Sequence, residues 1–176
     1  TTCFVLSDSS ERTIALETKE DIYDGLWHKV EWVVEDSVRG EAAIIVDGRS
    51  VEFTVVCQEC PEDFRGNDLV LNVGARDEGD GGIHSHFHGE IRCLKLNSQE
   101  DLVISWPLDE GSGNVAYDEG NKLVGRIVNP QWVTTTFPPL TPVFSPETGM
   151  EFSPASDMYS EWLKEGITIN VTMMSM

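Results

Sequence analysis

Basic residues are scarce in this chain: 12 Lys and Arg stand against 31 Asp and Glu, a formal net charge of −19 over 176 residues. Neutralising phosphates takes clustered Lys and Arg, so the composition argues against a nucleic-acid partner. The same charge disfavours an anionic membrane surface. Long apolar runs are missing too. None approaches the ~20 residues that a helix needs to span a bilayer, so no membrane insertion is expected. Cysteines are few: Cys3, Cys57, Cys60 and Cys93. An even count permits disulfides, but at this length they are optional rather than a framework. Cys57-Gln58-Glu59-Cys60 has metal or redox spacing, yet no second pair completes a zinc site, and no helix start follows as a thioredoxin-like motif needs. It reads as a strand-end loop holding a local disulfide or two free thiols. A nucleophile elbow, Gly-x-Ser-x-Gly, is also absent.

What the chain has is period-two alternation. From Leu26 to Val34, Leu26, His28, Val30, Trp32 and Val34 fall on one face, with Lys29 and Glu31 on the other, the mark of a half-buried strand. His28 sits on the apolar face and reads as a satisfied structural histidine. Asp47-Gly48 joins two further apolar runs and predicts a tight hairpin, because a primed turn needs positive φ. Apolar residues at nearly every position of 69–74 predict a strand buried on both sides. Residues 134–148, with Pro138, Pro139, Pro142 and Pro146, read as a connection too proline-dense for a central strand. Ile167, Ile169, Val171 and Met173 alternate cleanly at the end, after one helical turn expected at 161–165. The length suits one domain.

The motifs carry a resemblance. Asp24-Gly25-Leu26-Trp27-His28-Lys29-Val30, the Val46-Asp47-Gly48 hairpin and Phe87-His88-Gly89-Glu90-Ile91 follow in the order seen in the concanavalin A-like superfamily, which includes laminin G-like and pentraxin-like domains. Trp106-Pro107-Leu108-Asp109-Glu110-Gly111-Ser112-Gly113-Asn114, Asp118-Glu119-Gly120-Asn121 and Gly125-Arg126-Ile127-Val128-Asn129 resemble the segment that opens many such domains, as in phage tail and other virion adhesion proteins. The resemblance implies an all-β fold, an antiparallel two-sheet jelly-roll sandwich, formed as a single domain over 1–176. The family's closing half then lies at 1–97 and its opening half at 102–176. A circular permutation and a cut from tandem repeats both account for that order.

Glycosidases of this fold carry paired carboxylates, typically Glu-x-Asp-x-Glu on one strand. No strand here shows that run, so the expectation is a protein that is not an enzyme. By resemblance it is a recognition module for carbohydrate or a cell-surface glycoconjugate, extracellular or on a virion surface. The alternative is a structural domain that packs against other protein subunits of a larger assembly. Sugars are held by stacking on aromatics and by polar hydrogen bonds. Candidate ligand residues are His84, His86 and His88, which would share a strand face, together with Trp106 and Trp132 wherever these are exposed. Three imidazoles on one face also suit a transition metal. Asp77, Glu78 and Asp80, on a glycine-rich turn, offer the oxygen ligands that Ca²⁺ takes; an ordinary solvated loop is the competing reading.

Overall fold

A computed structural model describes residues 3–7, 13–36, 41–58, 71–74, 76–77, 83–84, 87–98, 103–120, 123–133, 141–144, 149–152 and 167–175. Within them the chain is all-β, with antiparallel sheets and no helix. The strands are β1 (Cys3–Ser7), β2 (Thr13–Thr18), β3 (Trp27–Asp36), β4 (Glu41–Val46), β5 (Arg49–Val51), β6 (Phe53–Gln58), β7 (Leu71–Val73), β8 (Arg76–Asp77), β9 (Ile83–His84), β10 (Gly89–Ser98), β11 (Val103–Trp106), β12 (Val115–Tyr117), β13 (Val124–Val128), β14 (Gln131–Val133), β15 (Thr141–Phe144), β16 (Gly149–Phe152) and β17 (Ile167–Ser175).

An eight-stranded sheet runs β14-β15-β10-β17-β3-β4-β5, with β11 also on β10. Smaller sheets are β1-β2-β6, β12-β13-β16-β7 and β8-β9. The C-terminal strand β17 lies between β10 and β3, so the two halves of the sequence interleave in one sheet.

The core follows from alternation. Val30 and Trp32 of β3, Ile44 and Val46 of β4, Ile169, Val171 and Met173 of β17, Leu94 and Leu96 of β10, and Ile104 and Trp106 of β11 are all buried. Leu16, Ala116 and Ile127 from the smaller sheets join the same cluster, which gives the molecule its sandwich character. Fully burying one such aliphatic side chain contributes about 1.5–3 kcal/mol.

Two expectations change. Leu26 is 61% exposed: it precedes β3 in a turn where its N–H donates to the Asp24 carboxylate at 2.8 Å and Gly25 takes φ +78. Among the described residues the strand at 71–73 pairs β16 alone, and Val73 is half-buried against the core. Pro142 lies inside β15, between β14 and β10. The β10 pairing there covers Glu90↔Val143 and Gly89↔Phe144 and stops short of Pro142, so the missing N–H removes no bond to β10. The helical turn expected at 161–165 lies outside the described residues.

Two of the sequence motifs take well-defined local geometry. Asp47 and Gly48 take φ of 51° and 78°, as a type I′ turn requires. On the side of β11 away from β10, no strand among the described residues pairs Ser105; its N–H donates to the buried Asp118 carboxylate at 2.9 Å, and its carbonyl accepts from the Glu119 N–H at 2.8 Å. The Asp-Glu segment thus closes a sheet edge that would otherwise present open backbone groups. Within the same unit the Tyr117 N–H donates to Glu110 at 2.8 Å.

Candidate functional site

Asp24, His28 and Asp47 form a clasp across the start of β3. The imidazole Nδ1 lies 2.7 Å from Asp47 Oδ2, and Nε2 lies 3.0 Å from Asp24 Oδ1. A carboxylate only accepts hydrogen bonds, so a ring facing one at each nitrogen is satisfied in full only as the imidazolium, with two N–H donors. The His28 pKa is accordingly raised above 6.5, first by the Asp47 hydrogen bond and then by that of Asp24. Both aspartates are held below 3.8, chiefly by His28. Asp47 also accepts the Lys29 N–H at 2.9 Å, which welds the hairpin turn to β3. Both ring nitrogens are thus satisfied, as the sequence implies for His28.

Its contribution to stability has a defined window. The histidine part is complete below pH 6.5 and is lost as pH rises through the raised folded value. The aspartate part is complete above pH 3.8 and is lost as pH falls through the lowered folded values. Thermal melts of wild type and His28→Asn should therefore differ most between about pH 4 and 6.5 and converge at alkaline pH. A difference that stays constant to pH 9 would show that the imidazolium is not what matters.

Of the residues singled out from sequence, the structure describes Asp77, His84, His88, Trp106 and Trp132. His84 ends β9, which pairs β8 with Arg76 opposite it, and β10 begins only at Gly89. His88 is exposed and lies outside both strands. The Phe87 N–H bonds the Gly74 carbonyl at 2.7 Å. His86, Glu78 and Asp80 lie outside the described residues, and Asp77 closes β8 opposite Ile83. Among the described residues no three His, Cys, Asp or Glu side chains converge on a metal-sized site. Trp106 has no exposed surface and cannot offer a ring face to a ligand. Trp132 is half-buried against the core, its Nε1–H donating to the Gly113 carbonyl at 2.9 Å.

The outer face of the eight-stranded sheet holds a different feature. Alternation that buries Val30, Leu94, Leu96, Ile169 and Val171 turns Lys29, Lys95, Asn97, Asn170 and Thr172 outward. Together with Cys93 they line a groove of about 360 Å³ across β3, β17 and β10. A β-bulge sets the parity. Pairing with β17 shifts between Arg92 and Leu94, and the extra residue, Cys93, takes φ +50 while its N–H bonds the Pro107 carbonyl at 3.1 Å. Without that shift Leu94 would face solvent, since a single-residue slip inverts every later side chain. Next to the groove, the Arg92 guanidinium lies 3.7 Å from the Trp27 ring centroid. Desolvation lowers the Arg92 pKa, opposed by nearby Glu90.

The sequence signalled this site only faintly. Ile91, Leu94 and Leu96 are spaced by three and then two, which breaks period two and marks a bulge, whereas nothing local shows that Lys29, Lys95 and Asn170 meet. Searches against protein-family models, curated proteins and solved structures return no match.

Proposed function

We propose that the chain is a non-catalytic recognition module of the concanavalin A-like jelly-roll type. It binds the saccharide of a cell-surface glycoconjugate on the outer face of its large sheet, within an adhesion or virion tail protein. The observation that carries this reading is the groove across β3, β17 and β10. Its lining of ammonium, carboxamide and hydroxyl groups supplies the donors and acceptors that sugar hydroxyls need. Those side chains stand on central strands of a sheet, where rotamers are restrained and little ordering entropy remains to be lost on binding. Lys, Asn, Thr and Cys suit hydrogen bonding rather than the paired-carboxylate chemistry of glycoside cleavage.

A glycan array probed with wild type and with an Asn170→Ala/Thr172→Val variant tests the proposal. Both positions face outward, so the fold should survive, and losing two hydrogen bonds of about 0.5–1.5 kcal/mol each should weaken binding by about tenfold or more. Undiminished binding by the variant would move the site elsewhere. Absence of any bound glycan would end the saccharide reading.

A second reading has one observation behind it. Tyr117 and Val124 are direct cross-strand partners on β12 and β13 and are 55% and 57% exposed. An exposed apolar pair suits packing against another subunit, as a structural assembly domain would use. Light scattering across a concentration series separates that reading from a monomeric binder.

A further inference from the structure

We infer that the saccharide bound in this groove is acidic, with Lys95 as the residue that selects for its carboxylate. The inference rests on the saccharide reading above and specifies the ligand class. The chain carries a net charge of −19, and an anion approaching most of its surface is repelled within the ~8–10 Å reach of unscreened charge. Cations are few, and several of those described are neutralised where they stand. Lys19 pairs with Glu52 at 3.0 Å and Arg49 with Glu20 at 2.5 Å. Yet Lys29, Arg92 and Lys95 gather on the outer face of β3 and β10, on either side of β17.

The three cations are not equivalent. Lys29 is tied to Glu31 at 2.6 Å, and Arg92 is stacked on Trp27 with Glu90 at 3.9 Å. Lys95 lines the groove half-buried and forms no ion pair among the described residues. A partly desolvated ammonium without a counter-charge is unfavourable; a ligand carboxylate would relieve it. By register, Lys95 faces Asn170 across one strand gap and Lys29 faces Thr172 across the other. Their backbones are therefore about 12 Å apart, from strand spacing of about 4.8 Å and a rise of about 3.4 Å per residue. The Asn170 carboxamide and the Thr172 hydroxyl lie between them for the sugar hydroxyls.

Trigalacturonate and its fully methyl-esterified form are the probes, since they share the same sugar skeleton and differ in charge. Titration calorimetry gives affinity. Protection of Cys93 from N-ethylmaleimide, located by peptide mapping, reports occupancy of this groove, because Cys93 lines it and its thiol is free. The expected result is that the acid form binds and shields Cys93, and that the ester binds at least tenfold more weakly. Lys95→Gln should lower affinity for the acid at least tenfold, lower that for the ester far less, and leave the melting temperature near wild type. Equal binding of acid and ester, or acid binding indifferent to Lys95→Gln, overturns the inference while the saccharide reading stands. Failure of both probes beside a neutral array glycan that shields Cys93 has the same meaning. Failure of both probes with no array glycan bound overturns the saccharide reading itself.

Discussion

Trp106→Ala should lower the unfolding free energy by about 3–5 kcal/mol, the range for removing a fully buried large aromatic. The side chain has no exposed surface, and its environment explains why. Ile104 and Trp106 alternate with Ser105 along β11, Trp106 sits opposite the equally buried Leu94 of β10, and Leu108 follows it into the core. Truncation would leave a cavity that these neighbours cannot close, because β11 is held on one side by β10 and on the other by Asp118 and Glu119. Urea unfolding measures the loss as a lower midpoint at unchanged slope. Trp106→Phe, which keeps much of the volume, should lose less and stay folded enough for binding assays. A loss under about 1 kcal/mol for the alanine variant would place Trp106 at the surface, where it would regain its candidacy for stacking on a sugar.

Gly89→Ala should be nearly as damaging, by about 3 kcal/mol, at the upper end for overpacking. A Cβ at Gly89 would collide with the Met174 carbonyl oxygen of β17 and would lie 2.7 Å from the Phe87 ring. The ring could swing aside, but the carbonyl belongs to the neighbouring strand and can move only if the β10–β17 pairing opens. That pairing is the spine of the large sheet, running from Gly89↔Ser175 to Ser98↔Ile167. The expected fall in melting temperature is about 6–12 °C for a chain of this length, measured by calorimetry. An unchanged melting temperature would mean that the Phe87-His88-Gly89 segment does not fold over β17 in this way. The same geometry accounts for glycine in this motif: Phe87 needs the space, and also packs on Tyr23 with ring centroids 6.4 Å apart.

Much of the architecture was legible in the residues themselves. Alternation names the buried faces correctly at Val30 and Trp32 of β3 and at Ile169, Val171 and Met173 of β17, because the pleat is a local property and side chains two apart share a face wherever the strand goes. Asp47-Gly48 announced its turn through the positive φ that only a few residue types tolerate. His28 was legible as a structural residue, although its two aspartate partners were not. Leu26 departs from the expected face because alternation, extended past the strand end, runs into a turn. The burial of Trp106 is not legible in sequence, since a tryptophan's sequence neighbourhood does not reveal which sheet covers it.

The sequence alone determined an all-β chain, the inward and outward sets of its long strands, its hairpin turn and its resemblance to a sandwich family. Only the tertiary structure decided which strands are neighbours. Lys29, Lys95 and Asn170 are far apart in the chain and share a groove because β17 inserts between β3 and β10, with a bulge at Cys93 holding their parity in step. Pleating acts over two residues and can be read from them; strand order and register are chosen by burial of the whole apolar set at once, and no local stretch contains that choice.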